Sequence, residues 1–194
     1  NSMNSIRIEG QKAIGIETIQ QLGWEVPDWF VLPVGNAGNI SALGKGIREL
    51  YENGVIGKKP RIAGVESEKA NPLYESFASD WAPLRPVKAG KTVASAIQIG
   101  NPISFAKAVR ELKYFNGAME QVNEKEIMDA KAAVDRSGVS VCPNSGAALA
   151  GLKKLVEKGT IKKDEKVAVI LTAHGAKFSK AAQDYHKSNK NIFA

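Results

Sequence analysis

A wholly apolar run, Trp29-Phe30-Val31-Leu32, leads through Pro33-Val34-Gly35-Asn36-Ala37-Gly38-Asn39 into a segment whose apolar residues return at helical spacing, Ile40, Leu43, Ile47 and Leu50. The first run reads as a buried strand and the second as one face of a helix. A glycine-bearing loop therefore sits where a strand hands over to a helix. Gly35 and Gly38 are expected to take positive φ and to let backbone approach a ligand closely. The N–H groups of the helix's first turn have no partner inside the helix, and the positive end of its dipole stands behind them. The stretch reads either as a phosphate cradle or as an ordinary turn that uses Gly and Asn because turns favour them.

The same alternation runs along the chain. Between Glu9 and Leu22, apolar residues at Ala13, Ile14, Ile16, Ile19 and Leu22 mark one helical face, stopped by Gly23 and kept from continuing by Pro27. The helix that opens at Ile40 is expected to reach about Asn53 and end at Gly54. Arg61 to Val65 reads as the next strand, with Glu66 at its end, and Asn71-Pro72 opens a short helix. An irregular loop covers Ala82 to Thr92, followed by a helix over Pro102 to Lys113 and a strand over Met119 to Val122. Asn123 and Glu126 have capping-box spacing at the head of a helix reaching Arg136. Val139 to Cys142 is expected to be a strand, and Asn144 and Ser145 to start a helix ending at Gly159. Lys166 to Leu171 should be the cleanest buried strand, ending at Thr172, before a last helix through Tyr185. Strand and helix in strict turn, with short connections, define an α/β class with a mainly parallel twisted sheet flanked by helices. Ligands of such sheets bind beyond the carboxyl ends of the strands. Two polar strand ends, the Gly35 loop and the Thr172-Ala173-His174-Gly175 turn, are positioned to face one cleft.

The bulk properties exclude several classes. No run approaches the roughly 18 apolar residues of a membrane span. The net charge of +7 would suit nucleic acid, but Lys153, Lys154, Lys158, Lys162, Lys163 and Lys166 fall on one helix and its exit loop. They read as a solvated face, and no nucleic-acid module is recognisable. Cys142 is the single cysteine, so no internal disulfide forms, and a reducing, cytoplasmic location is expected, or a plastid one in a plant. No metal-ligand spacing and no Ser/His/Asp grouping appears. The chain opens on Asn1-Ser2-Met3-Asn4, which predicts that it begins inside a longer protein.

Other candidate groups have modest signals. Thr172 ends a strand, where its hydroxyl can meet a neutral ring nitrogen or simply finish the strand. Arg7, with Asn1 and Ser2 nearby, could bind an oxyanion through its fork of N–H donors, or lie on the surface. His174 beside Gly175 reads as structural and Cys142 as a core residue. A dinucleotide site is the rival for the loop. Glu66 stands where a ribose-binding acid would, but the full glycine spacing is missing.

Four stretches, in order, resemble one family. Asn1 to Lys12 is similar to the N-S-x-N-x-x-R-x-E-G-Q-K signature of threonine synthases. Pro33 to Ile40 resembles that family's loop for the phosphate of pyridoxal 5′-phosphate, and Thr92 to Pro102 its A-S-A-I-Q-I-G-x-P segment. Leu171 to Lys177 resembles its T-x-H-G-x-K turn, with Ala173 and Ala176 where Gly and Leu are common. The plant-type and thermophile-type forms are the most alike.

The resemblance implies a fold-type II, tryptophan synthase β-like enzyme, incomplete at its N-terminus. Residues 1–194 would be the large, cofactor-binding portion. The small N-terminal domain, the Schiff-base lysine and an asparagine near the cofactor's 3′-oxygen would lie upstream, and neither Lys45 nor Lys177 stands in the matching motif. By the same resemblance, Gly35, Asn36, Ala37, Gly38 and Asn39 hold the cofactor phosphate and Thr172 meets the pyridine nitrogen. Asn1, Ser2 and Arg7 hold the phosphate of O-phospho-L-homoserine, which is converted with water to L-threonine and phosphate. The full-length protein is expected to be a homodimer, with no nucleic-acid or membrane partner. The alternative is a non-catalytic α/β module that binds a phosphorylated, nucleotide-type ligand.

Overall fold

A computed structural model describes residues 3–188. Twelve elements follow in chain order: α1 (Ser5–Gln11), α2 (Ala13–Gln21), β1 (Trp29–Pro33), α3 (Gly38–Glu52), β2 (Arg61–Ser67), α4 (Pro72–Ala78), α5 (Phe105–Tyr114), β3 (Ala118–Val122), α6 (Glu124–Asp135), α7 (Pro143–Glu157), β4 (Val167–Val169) and α8 (Ser179–His186). The four strands form one parallel sheet in the order β3-β2-β1-β4.

The side-chain period of two divides the core between the two faces of the sheet. Phe30 and Leu32 join Ile40, Leu43 and Ile47 of α3 and Leu112 of α5 on one face. Trp29 and Val31 join Ala147, Ala148 and Leu155 of α7 on the other. β1 and β2 are covered on both faces, which explains the unbroken apolar run of β1 and the apolar centre of β2, Ile62-Ala63-Gly64-Val65. Glycines admit the helices: a Cβ at Gly151 of α7 would lie 2.3 Å from a Val65 methyl of β2.

Most expected elements form, and four expectations need correction. The segment from Glu9 to Leu22 is two helices rather than one, and the first begins earlier, at Ser5, capped by Asn4. The break at Lys12 falls where its carbonyl meets α3, so closely that a Cβ at Gly46 would stand 2.3 Å from that oxygen. Val139 to Cys142 is not a strand; only Val141 makes an isolated antiparallel bridge, to His174. The left-handed turn at Gly138 and the start of α7 at Pro143 leave this segment no room to pair further. β4 is three residues long and half-buried rather than the best-buried strand, because it forms the edge of the sheet with β1 as its one neighbour. Lys154 and Lys158 are not part of a merely solvated face: both lie against the buried carboxylate of Glu120, at 4.0 and 2.5 Å.

The capping box holds as expected, with Glu126 N–H donating to Asn123 Oδ1 (3.0 Å) and Asn123 N–H to Glu126 Oε2 (2.8 Å). No helix among the described residues is long and apolar enough to cross a membrane.

Candidate functional site

The strand order places the site. From β1 the chain moves through α3 to β2 on one side, while β4 pairs on the other side of β1. A crevice opens where connections leave a parallel sheet in opposite directions, at the strands' carboxyl ends. The loop after β1 and the turn after β4 meet there, around a cavity of about 320 Å³. The two polar strand ends thus share one cleft.

The first wall is backbone. None of the five consecutive N–H groups from Gly35 to Asn39 has an acceptor among the described residues. They occupy the end of the loop and the first turn of α3, where an anion is favoured. The left-handed residue is Ala37 (φ 61°), not a glycine; Gly38 begins the helix and Gly35 is not left-handed. Gly35 is needed for another reason. A Cβ there would lie 2.8 Å from the Ala96 carbonyl oxygen and 3.0 Å from Ile97 Cα. The loop is also tied on every side. The Ser41 hydroxyl donates to Ala37 O (2.6 Å), Ser104 N–H to Asn36 O (3.1 Å), and the Asn39 amide to Pro33 O.

The second wall is made of side chains. Thr172, just past β4, is exposed and lines the cavity. Its N–H donates to Ser145 Oγ (2.9 Å), and its Oγ1 lies 3.8 Å from Cys142 Sγ. Cys142 is fully buried and caps α7, receiving Ser145 N–H (3.4 Å) and the Asn144 amide (3.6 Å). Burial pushes the thiol up, but hydrogen bonds with the Ser145 hydroxyl and amide, then with Thr172 and Asn144, outweigh it and bring it below the usual thiol value. Asn144 also reaches across the cavity, its Oδ1 accepting Ala96 N–H (3.2 Å).

Arg7 of α1 closes the third side. Its guanidinium makes no ion pair among the described residues, and no carboxylate lines the cavity, so the site carries a single, positive formal charge. A more apolar hollow of about 470 Å³ adjoins, sharing Gln11, Asn39 and Thr172. Asn1 and Ser2, the two other residues expected to bind substrate, lie outside the described residues.

Four residues stand apart from the cavity. Lys45 pairs with Glu9 and Glu49, and Lys177 lies on the turn after His174. His174 is structural, its Nδ1 accepting Ala176 N–H (3.1 Å). Glu66 is sealed beneath α4, with Oε2 accepting Tyr74 N–H (2.8 Å), so it cannot serve a ribose in the cleft. Burial pushes its carboxyl up to about 8. Reading the sequence missed Gln11 and Asn144 as lining residues and the polar set around Cys142. The signal was the Cys-Pro-Asn-Ser run at the head of α7, where polar side chains concentrate at a strand's end.

The fold and this site define a class, and residues 1–173 match the family described as pyridoxal-phosphate-dependent enzymes: the chain belongs to that family, in its fold-type II form. Among curated proteins it is 45% identical over 190 residues to threonine synthase 2, chloroplastic, of Arabidopsis thaliana, covering 97% of this chain and 37% of that protein. It is 43% identical to the threonine synthase of Methanocaldococcus jannaschii, covering 94% and 45%. Among solved structures, a fungal L-serine ammonia-lyase from Rhizomucor miehei superposes with a TM-score of 0.80 at 20% identity, over 95% of this chain and 57% of that one. The chain thus spans less than half the length of these two curated relatives. The motif resemblance to threonine synthases is borne out by these relatives, and the dinucleotide rival finds no support.

The cavity's residues fit pyridoxal phosphate. A row of N–H groups without acceptors among the described residues suits a phosphate dianion, Thr172 lines the opposite wall, and no acid lines the cavity to repel it.

Proposed function

We propose that this chain is the large, cofactor-binding portion of a threonine synthase, which converts O-phospho-L-homoserine and water to L-threonine and phosphate. One observation carries the reading. Gly35, Asn36, Gly38 and Asn39, whose backbone N–H groups have no acceptor among the described residues, line one cavity with Thr172 and with Arg7, which makes no ion pair among those residues, and no carboxylate lines it. Such a site takes a phosphorylated ligand with a neutral ring, and the adjoining, more apolar hollow adds room beside it.

In this reading Gly35 to Asn39 hold the cofactor phosphate through backbone N–H groups and the dipole of α3. Because Ala37, Ser41, Asn39 and Ser104 fix the loop, little entropy is lost when the phosphate docks. Thr172 holds the ring nitrogen by a hydroxyl, and a neutral partner leaves that nitrogen largely unprotonated. Bound pyridoxal phosphate supplies the electron sink for carbanion chemistry. Arg7, joined by Asn1 and Ser2, anchors the substrate's phosphate by charge-assisted hydrogen bonds. The lysine that carries the cofactor lies upstream of Asn1, and the whole protein is a homodimer of the cytoplasm or, as the chloroplastic relative's name supports, of a plastid.

The test is made on the native protein. After borohydride reduction, peptide mapping by mass should find a pyridoxyl group on a lysine upstream of Asn1, and the protein should release phosphate from O-phospho-L-homoserine. The 194-residue chain alone should release none, since no lysine lines the described cavity. Turnover by that chain, or a native protein with neither adduct nor turnover, would overturn the proposal.

A further inference from the structure

Cys142 has no place in the function above, yet it is the hub of the second wall. Four polar groups surround its sulfur: Ser145 Oγ at 3.2 Å, Ser145 N at 3.4 Å, Asn144 Nδ2 at 3.6 Å and Thr172 Oγ1 at 3.8 Å. Counting protons orders them. The Ser145 N–H and the Asn144 amide can only donate, so both give a hydrogen bond to sulfur. Ser145 Oγ already accepts Thr172 N–H at 2.9 Å, and its own contact with the sulfur can run in either direction. The sulfur then receives two fixed donors, and its one proton has two oxygens in reach, Ser145 Oγ, which already accepts Thr172 N–H, and Thr172 Oγ1, which holds no other hydrogen bond among the described residues.

We infer that Cys142 is a positioning residue: its S–H donates to Thr172 Oγ1 and thereby turns the Thr172 hydroxyl proton into the cavity, where it meets an unprotonated ring nitrogen. This rests on the reading that Thr172 faces the cofactor's ring. A lone threonine could offer a ring nitrogen either its proton or its lone pairs. With Cys142 behind it, the hydroxyl presents the proton, and the site selects the neutral form of the ring. No bond is made or broken; the relay runs S–H to O, then O–H to N. Asn144 extends the device. The amide that donates to the sulfur belongs to the side chain that accepts Ala96 N–H, so one buried residue links the Thr172 wall to the segment packed on Gly35.

The probe is pyridoxamine 5′-phosphate labelled with ¹⁵N in the ring. It carries no aldehyde and so needs no lysine. Its fluorescence reports affinity for the native protein freed of its own cofactor, and the nitrogen shift reports protonation. The parent protein should hold the ring nitrogen neutral and hydrogen-bonded. Cys142→Ala should move the nitrogen signal and weaken binding about fivefold to tenfold, the equivalent of one hydrogen bond. Cys142→Ser, whose O–H can donate in the same direction, should restore both. In a Thr172→Val background, Cys142→Ala should change nothing further. An unmoved signal in Cys142→Ala, or a protonated ring nitrogen in the parent protein, overturns the inference. If Thr172→Val alone changes neither signal nor affinity, the placement of Thr172 at the ring is what has failed. If Thr172→Val acts while Cys142→Ala does not, only the role of Cys142 has.

Discussion

The two walls of the cavity are built in opposite ways. At the end of β1 the contact groups are backbone, the supporting strand is buried on both faces, and neighbouring segments pack too closely to admit even one added carbon. At the end of β4 the contact group is a side chain on an exposed residue, at the edge of the sheet, placed by hydrogen bonds to the head of α7. The difference suits what each wall would hold. A phosphate is met by several converging donors whose positions must not drift, and packing supplies that rigidity. A ring nitrogen needs one hydrogen bond of the correct polarity, and a side chain with an ordered set of partners supplies that.

If this contrast is right, steric change should destroy the first wall and polar change the second. The largest effect is expected for Gly35→Val. The new side chain meets the Ala96 carbonyl and Ile97 backbone, and overpacking of this kind costs about 1–3 kcal/mol or more. Pyridoxamine 5′-phosphate affinity should collapse, and the denaturation midpoint should fall with it. Ser145→Ala comes next. It leaves the Thr172 N–H and the Cys142 sulfur short of a partner, at about 1–3 kcal/mol for a buried group left unsatisfied. Here phosphate binding, measured by competition with inorganic phosphate, should survive while ring recognition is lost; equal loss of both would break the distinction between the walls.

Ala37 sharpens the comparison from inside the first wall. Its left-handed backbone strains a residue with a Cβ, so Ala37→Val should destabilise the chain by about 1–3 kcal/mol, whereas Ala37→Gly should be neutral or slightly stabilising. Denaturant titration of the pair checks this, and a damaging glycine would show that the Ala37 side chain has a packing role of its own. Arg7→Ala should have the smallest effect on stability, close to zero, because the side chain is exposed and makes no ion pair among the described residues. Its effect should appear in substrate: O-phospho-L-homoserine binding to the native protein weakens more than cofactor binding.

The parts of the molecule that were legible in the sequence are those where local pattern and burial agree. Trp29 to Leu32 is apolar because both faces are covered, and its handover to α3 could be read residue by residue. The convergence of the Gly35 loop and Thr172 followed from the rule for parallel sheets. What could not be read depends on neighbours. Lys166 to Leu171 is as apolar as a central strand, and only the strand order makes it an edge. Val139 to Cys142 has strand-like residues, but the turn at Gly138 and Pro143 in α7 cut it off. Glycine was the natural candidate for positive φ, yet Ala37 takes it because Ser41 and α3 fix the loop around it. Gln11 stands in the Asn1 to Lys12 signature and Asn144 in the Cys-Pro-Asn-Ser run, but neither pattern says where its side chain goes; helices distant in sequence bring both to the cavity.

The carboxyl of Glu66, closed in beneath α4, ties the integrity of the sheet to the acidity of its surroundings. Its Oε1 has no hydrogen-bond partner among the described residues, and burial raises the carboxyl from the ordinary 4.5 to about 8. Below about pH 4.5 the group is protonated whether the chain is folded or not. Between about 4.5 and 8 the folded chain keeps a proton that the unfolded chain gives up, so the stability contributed by this group is lost progressively as pH rises through that window. Urea midpoints followed from pH 5 to 8 should therefore decline with pH, and Glu66→Gln, which cannot ionise, should flatten the slope. By this account a protein whose cavity favours a dianion becomes firmer under mildly acidic conditions, at a residue that never touches the ligand.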